Sequence, residues 1–405
     1  MLKNATPLAA FTIAAAFSFA TSAMAQNDPI KVGVISPQSP PGSIAQGSEG
    51  RAGLKIAAEM INENGGLLGR QIELVHVDSR GVPEDGRAGA ERLITKENVD
   101  LLTGGLHSSV CMAVSDVVHK HNEVFMNVNC WSDAVREKGY AEWWNTSINN
   151  SRIAVGGADT IKQLGADSVF AYAENTDFGI GLAKKLGRQL EKRAPNVEYD
   201  YQVADRESKD FSAQIAQLKQ DQPDVVATIM DPPGGYILIN QLYQQGVAPS
   251  PDTTLLDLDA LAGLPDFWDN VDKGGKHMAG FVLYHPNMKL TDLGKEVAEI
   301  RRENSDKEPS RLIFQGFDAL WVLKDAVERA GSLETDEVIA ALKKTEVAGT
   351  RGTITFNQEK GPFFQQWTNV PYAVIQYTEE GQPTGKAPII APERQKTADF
   401  VTPEM

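Results

Sequence analysis

One pattern recurs through the chain and limits its folds more than any other. A short β-branched or apolar run is followed by a loop rich in glycine, serine or aspartate, and then by a segment with apolar residues at helical spacing. The run Lys31 to Ser36 leads through a Pro/Gly/Ser-rich loop into residues 47–64, where Ala52, Ile56, Met60 and Ile61 fall on one helical face. The unit repeats as strands at 71–78, 99–103 and 124–129, with helices at 84–97 and 109–121 between them. A second series runs from Arg152: helices at 153–164, 179–193, 210–220 and 235–245, and strands at 168–173, 197–203, 224–230 and 254–257. Alternation of this kind predicts an α/β protein with parallel sheets and helices on both faces, here two Rossmann-like lobes. Later segments read as helices at 312–330 and 334–344 and strands at 353–356 and 372–377, too few for a third domain. The chain is therefore expected to return to the first lobe near Tyr284 and to cross again near Trp367, making a hinge of several crossovers.

The first residues carry Lys3, an apolar stretch from Pro7 to Ala20 and then Ala23-Met24-Ala25, the layout of a cleaved secretory signal. The expected division is a signal peptide at 1–25, a first lobe at 26–148 with 284–366, and a second at 149–283 with 367–405, the mature chain starting at Gln26. The apolar stretch is shorter than the ~18 residues of a spanning helix, so no direct membrane insertion is expected. The full sequence has 39 basic and 54 acidic side chains. Losing Lys3, the one charged residue of the leader, leaves 38 against 54 and a charge of −16. Such a surface repels nucleic acid. Two cysteines, Cys111 and Cys130, are too few for a disulfide scaffold but enough for one bridge in an oxidising compartment.

Ligands of open parallel sheets bind beyond the carboxyl ends of the strands, so the loops there carry the candidate site. Gly104-Gly105-Leu106-His107-Ser108-Ser109 enters a helix directly: the glycines admit a close approach, and the hydroxyls and free amides suit a carboxylate. Ser108 or Ser109 also fits as a helix cap. Asn129-Cys130-Trp131 ends the next strand, with Trp131 as a pocket wall or as inter-lobe packing. In the second lobe Phe178 opens a helix, placed to stack on a ligand or to staple that helix. Asp231 and Asp259 stand just past adjacent strand ends, a receptor for a positive group unless each caps the segment that follows it. His107 and Asp257 are secondary candidates.

Catalytic signals are missing: no GxSxG elbow, GxxxxGK[ST] loop or HExxH pair occurs. His119 and His121 point about 200° apart on a helix and cannot share a metal. Cys130 has no evident basic partner as a nucleophile. No metal or cofactor is expected, and a two-lobed α/β enzyme is the weaker alternative.

The segments IKVGVISP, GLKIAAEMINENGGLLGRQIELVHVD, LLTGGLHSS, TDFGIGLAKKL, KDFSAQIAQLKQDQPDVV and FDALWVLKDAVERAG resemble the branched-chain amino-acid binding protein family over nearly the whole mature chain. The leader, with no spanning segment and no cysteine near the cleavage point, points to a soluble periplasmic protein, by default a monomer; the resemblance implies a type I periplasmic-binding fold, a small-molecule ligand and an ABC permease as partner, and a ligand sensor for a signalling receptor is the other role the sequence allows. It implies that a serine at Ser108-Ser109 and the segment Asn129 to Trp131 hold the ligand carboxylate and amine. By the same resemblance Phe178 stands where relatives often have tyrosine, Asp259 matches the acidic residue that grips the ammonium, and Asp231 replaces a common aromatic residue. That departure points to a ligand with a second positive or hydrogen-bonding group. The structural disulfide of the family lies elsewhere, yet a bridge from Cys111 to Cys130 remains within reach.

Overall fold

The computed structural model describes residues 28–404, so the expected leader and mature start lie outside the described residues. The first lobe is built on β1 (Ile30–Ser36), β2 (Ile72–Asp78), β3 (Leu101–Gly104), β4 (Phe125–Asn127) and β5 (Trp143–Asn145). These make a parallel sheet in the order β2-β1-β3-β4-β5, with Val32 opposite Leu101 and Phe125 opposite Trp143. Its helices are α1 (Ile44–Glu63), α2 (Pro83–Thr95), α3 (Ser108–His121) and the short α4 (Asp133–Glu137).

After β5 the chain enters the second lobe through α5 (Asn150–Leu164), β6 (Ser168–Glu174), α6 (Asp177–Arg193), β7 (Glu198–Ala204), α7 (Ser212–Asp221), β8 (Val225–Ile229), α8 (Gly234–Gln244), β9 (Thr254–Asp257), α9 (Phe267–Asn270) and β10 (Ala279–Val282). It then runs through α10 (Asp292–Glu303), α11 (Arg311–Ala330), α12 (Thr335–Leu342) and the hairpin β11 (Val347–Gly349) and β12 (Gly352–Ile354). Finally β13 (Ala373–Gln376) and β14 (Ile389–Ala391) complete a seven-stranded sheet ordered β14-β13-β10-β9-β8-β6-β7. That sheet is parallel from β7 to β10 and adds two antiparallel strands, since β13 runs against β10 and β14 against β13. The segments at 146–149, 283–291 and 367–372 connect the lobes. Gln366 still pairs beside Asn145 on the first sheet, while β13 already belongs to the second.

Local chemistry sets these elements. β3 and β8 are buried along their whole length, as central parallel strands covered on both faces must be. Asn149, Thr176, Thr291 and Ser310 each accept a backbone N–H at the start of a helix, and Gly165 and Gly331 end α5 and α11 in the left-handed conformation. Helix α11 lies on α1 at close range: a Cβ on Gly53 would come within 2.1 Å of the Ile313 carbonyl oxygen, and one on Gly316 within 2.2 Å of that of Gly50. Among the described residues no helix is long and apolar enough to cross a membrane.

Candidate ligand-binding site

All the loops singled out by sequence lie at carboxyl ends of strands facing the other lobe. Gly104 and Gly105 both have positive φ, 110° and 82°. A Cβ on Gly105 would press on Cys111 Sγ at 2.7 Å and Asn127 Oδ1 at 2.9 Å, so glycine is needed where α3 begins. Asn127 shapes the adjoining turn: its Oδ1 accepts from Cys130 N at 3.0 Å and its Nδ2 donates to Cys130 O at 3.1 Å. Cys111 and Cys130 are joined, Cα atoms 6.4 Å apart, which ties the first turn of α3 to this segment.

Leu106, Ser108, Asn129 and Trp131 from the first lobe and Phe178, Asp231 and Asp259 from the second surround one small cavity. Trp131 and Phe178 meet edge to face across it, centroids 5.6 Å apart. Ser108 Oγ accepts from Ser132 N at 3.1 Å and keeps its own hydrogen for donation. Asn129 Oδ1 and Asp259 Oδ2 are buried and have no hydrogen-bond partner among the described residues. Unpaired buried acceptors carry a desolvation cost of about 1–3 kcal/mol, more for a charged group, so two of them facing one cavity mark a place for a donor-bearing ligand.

The remaining sequence candidates do other things. Ser109 Oγ accepts from Asp177 N at 3.3 Å, a contact between lobes outside the cavity. Cys130 is sealed in its bridge and takes no part in the wall. The backbone of this segment is largely committed: Arg136 Nη2 donates to Trp131 O at 3.0 Å and to Ser132 O at 2.8 Å, and Asn150 N also donates to Trp131 O. Asp257 turns inward, accepting from the backbone N–H groups of Asp259, Leu261 and Ala262 at 2.9, 2.7 and 3.3 Å. It shapes the loop that presents Asp259 rather than meeting a ligand, because its oxygens are already used.

His107 and Asp231 form a latch between lobes. Ser43 N donates to His107 Nε2 at 3.2 Å, which places the ring proton on Nδ1, 3.1 Å from Asp231 Oδ2. Arg206 Nη1 lies 3.1 Å from the same ring nitrogen, and its charge falls beside Asp231. Ser43 Oγ donates to Pro232 O at 2.9 Å, and Lys185 of α6 pairs with buried Asp133 of α4 at 2.9 Å, so the lobes are held closed at several points.

Burial pushes every carboxyl here toward its neutral form, and partners decide how far. Asp259 is raised well above the usual carboxylate range by burial, then by repulsion from Asp231 and Asp257. Glu174, at the end of β6, is pushed to about 8 by burial and by Asp231; its Oε2 accepts from Asp231 N at 2.8 Å. Burial also pushes Asp231 upward, but the His107 hydrogen bond and the nearby charges of Arg206 and Arg311 hold it below its ordinary value.

Sequence reading missed Arg311, the first residue of α11. It is 2 % exposed, its guanidinium lies 5.0 Å over the Trp131 ring, and its Nε and Nη1 have no partner among the described residues. A charged residue at a helix start before an apolar run gives no signal of its own, since it ordinarily points to solvent. Gln46 meets Arg311 Nη2 at 3.5 Å and also lines a second cavity of about 400 Å³ with Pro41, Ser43, Arg206, Pro232 and Tyr236.

Two lobes closing on a cavity with unpaired polar groups on both walls define a solute-binding clamp. Residues 29–381 match the periplasmic binding protein family model, and the chain belongs to that family. It is 25% identical to the Leu/Ile/Val-binding protein BraC3 of Rhizobium johnstonii, over 86% of this chain and 92% of that one. It is 24% identical to the leucine-, isoleucine-, valine-, threonine- and alanine-binding protein of Pseudomonas aeruginosa, over 87% and 91%. Among solved structures, the leucine-binding protein LivK of Thermotoga maritima superposes with a TM-score of 0.79 at 22% identity, covering 89% and 98% of the two chains. A solute-binding protein of R. palustris in complex with benzoate superposes at 0.76 and 19%, covering 93% and 98%. The fold is thus the type I periplasmic-binding fold. The family consists of solute-binding proteins rather than enzymes.

Proposed function

We propose that this protein captures a small amino-bearing carboxylate between its lobes in the periplasm and delivers it to an ABC permease. Its lobes are 26–148 with 284–366 and 149–283 with 367–405, turning about the three crossovers. The observation that carries the reading is Asp259: a buried carboxylate, with Oδ2 unpaired, facing the Asn129 and Ser108 wall. An ammonium there supplies the missing donors and favours the charged form that burial disfavours. Asn129 Oδ1 accepts from the same ammonium. Ser108 and the first amides of α3 take the carboxylate. Trp131 and Phe178 exclude water and strengthen each polar contact. Asp231 closes the cleft by meeting His107, a different task from receiving a second cation on the ligand. The closed form is the one that docks on the permease. Relatives named for leucine, isoleucine and valine support an amino acid, while the benzoate-bound neighbour shows that this fold also holds an acid without an amine.

The test is a thermal-shift and calorimetric screen of protein refolded free of ligand. A ligand at a hundredfold excess over its Kd adds about 2.7 kcal/mol of stability. Asp259→Asn should weaken an amino acid about a hundredfold, the loss expected when one partner of a buried charged pair is removed. Binding confined to amine-free acids, unaffected in Asp259→Asn, refutes the reading.

A further inference from the structure

Arg311 is a buried cation in search of an anion. Each buried acid around it is answered elsewhere: Asp231 by the His107 hydrogen bond and the nearby charge of Arg206, Asp257 by three backbone amides, and Asp259, on the reading above, by the ligand ammonium. Arg311 and Asp259 are near enough for each to influence the ionisation of the other, yet no ion pair joins them among the described residues, and both keep unpaired polar atoms. Burying a guanidinium with two free donor nitrogens costs several kcal/mol unless a partner arrives.

Its position says what part of a ligand it would meet. The guanidinium packs on Trp131, a wall of the small cavity, and its Nη2 reaches Gln46, a wall of the 400 Å³ cavity. Gln46 Nε2 is likewise buried and unpaired. A ligand whose ammonium rests on Asp259 and whose carboxylate rests at the start of α3 would send its side chain past Arg311. Leucine, isoleucine or valine would leave both donor groups unanswered. A planar guanidinium held by stacking on an indole is pre-organised for a bidentate carboxylate.

We propose that Arg311 holds a side-chain carboxylate of the ligand, so that the cleft selects an amino acid with an acidic side chain. The inference rests on the amino-acid reading of the cleft and adds the class of side chain. Gln46 Nε2 serves as the second donor to the same carboxylate.

Titration calorimetry of the refolded full chain with glutamate, aspartate, glutamine and leucine tests it, in wild type and in Arg311→Met, Arg311→Lys and Asp259→Asn. The expected result is that glutamate or aspartate binds wild type about a hundredfold tighter than glutamine or leucine. Arg311→Met should erase that preference, Arg311→Lys should keep part of it, and Asp259→Asn should weaken all four. Circular dichroism and the ligand-free Tm show whether Arg311→Met is folded; if it is not, the wild-type ranking and Arg311→Lys decide. A wild type that prefers leucine or glutamine, with loss of binding in Asp259→Asn, overturns the role of Arg311 and leaves the cleft reading standing. Unchanged acid affinity in folded Arg311→Met overturns it as well. No binding by any of the four overturns both.

Discussion

Breaking the Cys111–Cys130 link should cost both stability and affinity. The cysteines are 19 residues apart. In the chain-entropy account, cross-linking a loop of about twenty residues restricts the unfolded ensemble by about 3 kcal/mol. For a lobe of this size each kcal/mol moves Tm by roughly 2–4 °C, so reduction should lower the first lobe's transition by about 6–12 °C. The affinity effect comes from geometry. The bridge joins the first turn of α3, which carries Ser108, to the turn that carries Asn129 and Trp131, and these three line the first-lobe wall of the cavity with Leu106. Loosening that wall makes the ligand supply the ordering, which costs about 0.5–1.5 kcal/mol per immobilised side chain, so affinity should fall about tenfold. The assay compares oxidised and phosphine-reduced wild type by scanning calorimetry and ligand titration, with thiol alkylation and mass spectrometry to verify reduction. Reduced wild type is the cleaner probe, because Cys→Ala variants also lose buried sulfur packing. Fully reduced protein with unchanged Tm and unchanged affinity would refute the argument.

Glu174→Gln should flatten the pH dependence of stability. Because its folded pKa is raised from 4.5 to about 8, the folded state binds more protons between those values, and stability falls as pH rises through the window. Asp231 acts in the opposite sense, but only as pH falls below its ordinary value of 3.8. The amide keeps an acceptor for Asp231 N, so denaturant titrations at pH 9 should show the variant more stable by several kcal/mol, and equal slopes from pH 5 to 9 would count against the assignment. Lys185→Met removes the 2.9 Å tie to buried Asp133 across the cleft. It should weaken ligand binding several-fold, with ligand-free small-angle scattering shifted to a larger radius; an unchanged radius and affinity would mean that the tie is incidental. Gly53→Ala should destabilise by about 2 kcal/mol or more, since the new methyl meets the Ile313 backbone oxygen at 2.1 Å, and a wild-type melting curve would be inconsistent with that packing.

The alternation of apolar runs and amphipathic segments was enough to read two α/β lobes, because side-chain period and strand–helix order are local properties. The same logic placed the candidate loops, since strand ends follow from strand assignments. Of the residues named on that basis, Ser108, Asn129, Trp131, Phe178, Asp231 and Asp259 line one cavity, while Ser109, Cys130, His107 and Asp257 do not. Elements without a periodic signal went unread. β5 is three residues beginning Trp143-Trp144, β10 is four residues interrupted by Gly280, and β14 is an added antiparallel edge; each exists because neighbouring strands offer it hydrogen bonds. Helix α10 does carry a local signal, since Leu293, Val297 and Ile300 have helical spacing.

What sequence determined by itself was which residues stand at the mouths of the strands. Which way each one points was decided by tertiary structure, because orientation depends on partners far apart in the chain. Asp257 and Asp259 are two residues apart, yet one is consumed by backbone amides and the other is left unpaired in the cavity. Asp231 looked like a receptor until His107, 124 residues away, was found on its carboxylate. Arg311 became a site residue only when α11 docked on α1 and laid its guanidinium over Trp131, 180 residues earlier in the chain. A buried charge is defined by what surrounds it, and those surroundings come from both lobes at once.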